Sequence, residues 1–558
     1  MNDAPLVKSR FLVGACVLLS ACAMGSGAPA DADVNGAYGA YLAARYADAK
    51  GDSAAASQFY GVALREDPDN AALVQPAFMA ALLSGSNLAL ALAPDMQGNS
   101  LAALLRGDAA VQAGDYAGAA QIYASLPPDQ LTQLIQPILL AWCQAGQGDV
   151  QGALARLQPL GADGPFGPVY TLNAALIADA AGDNKDAAPL YASLGGAQPD
   201  LRLAEILASW EARSGQPQAA DAVLAQLMSA HPDLALAFPG LQAQIANKVV
   251  STPAQGIAEA YLTIAGALGA PGHAQLQIAF LQLALQLRPD FSAARLLLAG
   301  AQDQATPPAT QPSNAQSELA LATLQPIPPT DPLYGPAALQ EADQLASLGR
   351  TDDAVAILKG LIQANPGDPD LPQIAGDTLR EAGQFQPAIT YYNQALADLG
   401  TPLPQAAWQL LFDRGICEDE LGNWTAAEPD LVAARNLAPN QPYVLNYLAY
   451  SWALRGEHLT EARQMLTQAV SLDPNDGAVI DSLGYADLRA HQTSTALALL
   501  TQAVELDPDD AEVNAHLGDA FWAAGQKLQA NYQWQRALAL RPDAKLRAKI
   551  TNELRADF

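Results

Sequence analysis

The sequence predicts an all-α protein built from stacked helical hairpins, and three observations carry that prediction. The first is a recurrence. Leu448, Leu483 and Leu517 each precede a small residue, Ala449, Gly484 or Gly518. Ala462, Ala496 and Ala530 follow, then Ala469, Ala503 and Ala537, and each cassette closes on Pro474, Pro508 or Pro542. The alanine and proline markers recur at one fixed interval, and an interval of about 34 residues marks a repeat protein. The second is spacing within a cassette. Ala496, Leu500 and Ala503 fall four and three apart, so they share one helical face, and the small ones let a second helix approach closely. The third is punctuation. Pro508 cannot continue a helix, and Asp509 and Asp510 after it can accept bonds from the free N–H groups of the next one. The same signal stands at 472–476 and 66–70.

The small, large, small, proline order at this period resembles the tetratricopeptide repeat (TPR) family. The resemblance implies a superhelical solenoid of antiparallel helix pairs, here roughly 13 units. Two departures are local: His491 stands in a turn where Gly456 and Gly525 stand in the neighbouring cassettes, and the cassette from 442 has one extra residue in that turn. The chain has 558 residues, half of them hydrophobic but only 6% aromatic. That balance suits thin, close-packed helix pairs better than a thick globular core.

The stretch 1–21 reads as a secretory signal. Met1 to Arg10 carries two cations, Phe11 to Ser20 is apolar, and small residues follow. Leu19-Ser20-Ala21-Cys22 then resembles the bacterial lipobox, which implies that Cys22 becomes a diacylated first residue and tethers the chain to a membrane. Ala21-Cys22-Ala23 also fits an ordinary cleavage site, and Val13-Gly14-Ala15-Cys16 is a second lipobox with almost no apolar run before it. Ala23, where an aspartate would retain the inner membrane, points by the same resemblance to the outer membrane. Residues 22–35 read as a flexible tether, of which Met24 to Asn35, rich in Gly, Ala and Asp, reaches up to roughly 40 Å.

An N-terminal array is expected over 36–300. It opens with Ala56, Tyr60, Ala63 and Pro68, degenerates around Leu73 to Asp95, and recovers with Gly114, Ala119 and Tyr123. Clear copies carry Gly182, Ala187, Tyr191 and Pro199, then Gly215, Ala220, Leu224 and Pro232. The phase is lost between Leu234 and Ser251, and Tyr261 to Pro289 restores a helix pair. Thr306 to Ser313 and the run Pro326, Pro328, Pro329, Pro332 and Pro336 place the main joint at 301–334. A C-terminal array follows over 335–542, and the cation-bearing segment 543–558 reads as a capping helix covering the last hairpin. Cys143 and Cys417 sit shortly before the turn in two distant repeats, which points to buried small residues rather than a disulfide.

The formal net charge is −29, and loss of the signal makes it one unit more negative. Phosphate binding needs a basic face, so nucleic acid is excluded as a partner. His231, His273, His458, His491 and His516 form no metal-ligand spacing, so neither a metal nor a cofactor is expected. No P-loop, G-x-S-x-G or G-x-G-x-x-G before a strand occurs, and acid pairs such as Asp352 and Asp353 read as helix caps. The chain is therefore not expected to be an enzyme.

Function must then come from a surface. The resemblance implies that first helices line a concave face which holds segments of partner proteins. Carried over by phase, that face would show Tyr443, Asn446 and Tyr450, then Asp481 and Tyr485, then Asp519 and Trp522. Such a row suits proteins or peptides with basic or apolar segments. Packing of Tyr450 and Tyr485 between adjacent hairpins is the competing reading. The expected role is a lipid-anchored adaptor at the periplasmic face of a Gram-negative outer membrane, serving envelope or outer-membrane assembly. Alternatives are an accessory protein of polysaccharide export and a soluble periplasmic adaptor without an anchor.

Overall fold

The computed structural model describes residues 36–556 apart from 163, 165, 196–199, 271 and 305–313. The signal, Cys22, the tether, Pro199 and Thr306 to Ser313 lie outside the described residues. Among those described there is no strand, and every hairpin is antiparallel α-helix on α-helix. Contacts divide the chain into two units, with the boundary after Ala364.

The N-terminal unit starts with α1 (Ala37–Ala49) and α2 (Ser53–Glu66), then α3 (Ala71–Leu83) and the short α4 (Leu88–Leu92). It continues through α5 (Ser100–Gln112) and α6 (Tyr116–Ala124), α7 (Gln130–Gly146) and α8 (Val150–Gly161), and α9 (Gly167–Ala180) and α10 (Asn184–Leu194). The pair α11 (Leu201–Arg213) and α12 (Pro217–Ala230) completes this run, and α13 (Phe238–Gln244) follows it. Next come α14 (Pro253–Ala267) and α15 (Ala274–Leu287), α16 (Ser292–Gln304) and α17 (Asn314–Leu324), and α18 (Tyr334–Ser347) and α19 (Thr351–Ala364).

The C-terminal unit is a plainer stack. Its pairs are α20 (Asp370–Glu381) with α21 (Phe385–Leu399), α22 (Trp408–Glu420) with α23 (Trp424–Leu437), and α24 (Pro442–Arg455) with α25 (Leu459–Leu472). The last two are α26 (Gly477–Arg489) with α27 (Thr493–Leu506) and α28 (Ala511–Ala523) with α29 (Lys527–Ala539), covered by α30 (Ala544–Ala556). The marker alanines Ala462, Ala469, Ala496, Ala503, Ala530 and Ala537 are all fully buried.

A local device sets each hairpin. In α5, Gly107 leaves room for the ring of Tyr123 from α6; a Cβ there would lie 2.2 Å from a ring carbon. The next residue, Asp108, accepts the Tyr123 hydroxyl at 2.6 Å. The arrangement recurs where Gly376 faces Tyr392 and Gly518 faces Trp534. Asp377 accepts the Tyr392 hydroxyl at 2.7 Å, and Asp519 accepts the Trp534 indole N–H at 2.9 Å. Each ring thus buries its apolar body while its polar tip keeps a partner. Turns between the paired helices use a left-handed residue, as at Gly51, Gly114, Gly148 and Gly182. The aspartate after each of these caps the second helix by accepting a backbone N–H. His491 holds the same position at φ 61°, where a Cβ is strained.

The loss of phase over 234–251 marks a change of direction. Beyond it, α14 and α15 return across the first helices α3, α5, α7 and α9 of their own unit. Gly256 of α14 sits under the indole of Trp142, where a Cβ would be 2.1 Å from the ring. Tyr261 donates to Asp108 at 2.8 Å, and Gln282 donates to the Leu83 carbonyl at 3.2 Å. The first-helix face of the N-terminal unit is therefore covered by its own chain.

The joint expected at 301–334 is not where the contacts divide. α17 forms inside that stretch, and Ala320, Leu324 and Ile327 are buried with Ala299 and Ala337. Ser292 donates to Asp331 at 2.6 Å, and Asp331 also caps the Leu333 N–H at 2.8 Å. Pro326, Pro328, Pro329 and Pro332 sit in the turns after α17 and Pro336 in the first turn of α18, so the chain folds back and both sides pack together.

Gly518→Ala is expected to destabilise the C-terminal unit by about 1–3 kcal/mol, because Trp534 must shift. His491→Gly is expected to stabilise it by about 1 kcal/mol. Guanidinium midpoints at unchanged slope check both.

Candidate functional site

Among the described residues, the first helices of the C-terminal unit, α20, α22, α24, α26 and α28, carry no second layer comparable to α14 and α15 within that unit. Their side chains form a continuous polar and aromatic row. At one end, Asp377 takes the Tyr392 hydroxyl, and Arg380 bridges towards Asp413 at 3.5 Å. Burial pushes Asp413 up to about 7, with Arg380 pulling it back. Next along, Asp419 accepts Tyr447 at 3.4 Å and Ser451 at 3.3 Å and pairs with Arg455.

The centre of the row is an interlocked cluster. Tyr450 and Tyr485 lie 5.6 Å apart, and the His516 ring stacks 4.3 Å from Tyr485. His516 Nδ1 meets Asp481 Oδ2 at 2.8 Å, and the Tyr450 hydroxyl donates to Glu512 at 2.6 Å. These bonds join α24, α26 and α28 across the stack. At the far end, Asp519 also accepts Lys549 of α30 at 2.7 Å. Glu553 beside it is pushed up to about 7, by burial first and then by Asp519, against the pull of Lys549. Trp522 stacks on Trp534 at 5.5 Å, with the Lys527 ammonium 4.5 Å from its ring.

The family model described as tetratricopeptide repeat matches residues 375–442 and 482–545. Those two stretches carry TPR repeats. A relative, the TPR repeat-containing protein PA4667 of Pseudomonas aeruginosa, is 30% identical over 158 residues, which is 28% of this chain. The chain spans only 25% of that relative's length. Among solved structures, the APC/C hetero-tetramer Cut9–Hcn1 is 16% identical, with 92% of this chain and 95% of that one covered at a TM-score of 0.36. Yeast Tom70 is 13% identical, with 82% and 95% covered and a TM-score of 0.35. YrrB, described as a TPR protein with an unusual peptide-binding site, is 17% identical, with 35% and 97% covered and a TM-score of 0.28.

Of the seven residues that TPR phase placed on the row, Tyr443 is 44% exposed at the start of α24, while Asn446, Tyr450, Asp519 and Trp522 are half-buried. Asp481 and Tyr485 are covered, at 5% and 7% exposure, because His516 lies over both. Packing between adjacent hairpins is thus the actual role of Tyr485. Sequence reading missed His516 and Glu512. Asp481 and His516 are separated by one period plus one residue, the register of neighbouring first helices, and that was the available signal. Exposed carboxylates on these first helices include Glu381, Glu420 and Glu512.

Among the described residues, no group of three or more His, Cys, Asp or Glu could hold a metal, and no helix is long and apolar enough to cross a membrane. Cys143 and Cys417 are free and buried, and burial pushes both thiols up to about 12, far from the range of a reactive nucleophile.

Burial lowers the pKa of His516, but Asp481 raises it and, with Glu512 and Asp519, wins, so the net shift is upward. Burial raises Asp481 against the pull of His516. A histidine whose folded pKa exceeds its unfolded value stabilises fully below about pH 6.5, and that contribution fades as pH rises through the folded pKa. The denaturant midpoint of the C-terminal unit should therefore fall as pH rises from about 6 towards 9. The decline should flatten in His516→Gln, read from midpoints at several pH values.

Proposed function

We propose that this TPR chain is an exported, lipid-anchored scaffold which docks other proteins in the envelope of a Gram-negative bacterium, in the service of envelope or outer-membrane assembly. The observation that carries the docking reading is the row from Asp377 to Trp522. It combines aromatic area with exposed carboxylates, and it lies on the first-helix face that the C-terminal unit leaves without a second layer. The N-terminal unit has its corresponding face filled by α14 and α15, so docking is assigned to the C-terminal unit. Aromatics supply contact area, and Glu381, Glu420 and Glu512 steer basic segments. The work is done by a surface, without turnover.

The anchor reading is supported by the apolar run that ends in Leu19-Ser20-Ala21-Cys22. Cys22→Ala should move the protein from the membrane fraction to the soluble fraction of cells. A wild-type chain already soluble would remove the anchor from the proposal.

Docking is tested with the full mature chain and a lysine- and arginine-rich peptide. Affinity should fall with added salt. Replacing Glu381, Glu420 and Glu512 together with Gln should weaken it about tenfold, at roughly 0.5 kcal/mol per surface charge. Equal binding by the triple variant in a titration at low salt would place docking elsewhere.

A further inference from the structure

The first helix, α1, presents two unlike faces. Its buried face, Ala40, Ala44 and Ala47, packs on α2. Its other face shows Tyr38, Leu42 and Tyr46, at 74%, 50% and 69% exposure. Spaced four apart, they form one stripe. Arg45 and Lys50 are exposed beside it, with the Lys50 ammonium 5.9 Å from the Tyr46 ring, against the acids Asp48 and Asp52. Elsewhere among the described residues, large exposed apolar side chains come singly or as a pair on one helix, as with Leu528 and Tyr532 on α29. Here three gather on one short helix.

We propose that this stripe of α1 rests in the headgroup region of the membrane to which the chain is anchored. The proposal rests on the anchor reading at Cys22. Two features argue for a lipid surface as the occupant. Tyrosine has an apolar ring and a polar tip, which suits it to the water–lipid boundary, and a flanking lysine can keep its charge in water while its stem lies along the apolar layer. The second feature is distance. The stretch between Cys22 and α1 reaches at most roughly 50 Å, so the anchor keeps α1 within that distance of the bilayer. Arg45 and Lys50 are balanced by Asp48 and Asp52, so the contact rests on the aromatic and apolar stripe rather than on attraction to anionic lipid. The lipid holds the chain at the bilayer, and the stripe adds a second contact that sets the first hairpin against the membrane.

The experiment separates this inference from biological lipidation. The chain from Cys22 onward is coupled through the Cys22 thiol to a maleimide-bearing lipid in vesicles of phosphatidylethanolamine and phosphatidylcholine. Cys143 and Cys417 are buried and stay uncoupled. Surface tyrosines are then acetylated with N-acetylimidazole and quantified by mass spectrometry. Tyr532 on α29, 66% exposed, is the internal control. The expected result is a severalfold protection of Tyr38 and Tyr46 on vesicles relative to the uncoupled chain, with Tyr532 unchanged. In a Leu42→Ser variant, which leaves the buried face of α1 intact, the protection should shrink. Equal reactivity of Tyr38 and Tyr46 with and without vesicles overturns the inference, as does protection that appears in the uncoupled chain on concentration, which would mark a contact between copies. Because the tether is chemical, a failure of Cys22→Ala to release the protein in cells bears on the anchor alone.

Discussion

Close approach of two helices within a hairpin is the constraint on which the rest depends. It needs a residue with no side chain, or only a methyl, on one helix and a large one opposite it. Gly107, Gly376 and Gly518 face Tyr123, Tyr392 and Trp534 in this way, and a Cβ at any of the three would overlap the ring. A ring so buried must satisfy its hydroxyl or N–H, since an unmet polar group in the core costs about 1–3 kcal/mol. The aspartate after each glycine meets that need, which places a carboxylate on the first-helix face of these hairpins. Packing and surface chemistry are thus set by the same few positions.

Those carboxylates have different fates. Asp108 in the N-terminal unit is fully buried, accepts two tyrosine hydroxyls and is pushed by burial up to about 7 in spite of them. It has become part of a core because α14 lies on it. Asp519 in the C-terminal unit stays half-buried and is met from the side by Lys549 of the capping helix. The same local device is closed off in one unit and left towards solvent in the other, and that contrast directs the functional reading to the C-terminal row.

Much of this was legible in the residues. Ala462, Ala469 and their counterparts are buried as their spacing required, and α30 caps the last hairpin where its cations suggested a polar cover. The row of seven was legible only in part. Tyr443 is exposed and Trp522 half-buried on their first helices, while Tyr485 and Asp481 are covered by His516, whose identity gave no hint of a partner. The proline-rich stretch was a weak guide, because prolines only disfavour helix interiors, as Pro76, Pro137 and Pro429 inside helices show, and say nothing about whether the turns between them fold back. Leu324, Ile327 and Leu333 are what pack that stretch into the N-terminal unit.

By itself, then, the sequence determined the hairpins of the clear repeats: where their turns fall and which small residues, such as Ala462 and Ala469, are buried. All of those depend on neighbours within a single repeat, where geometry follows from the helical period. Only the tertiary structure decided that α14 and α15 cross α3, α5, α7 and α9, and that His516 closes over Tyr485 and Asp481. Such contacts join residues up to several repeats apart. Their register depends on small rotations between successive hairpins, which add up along the stack and are written in no one repeat.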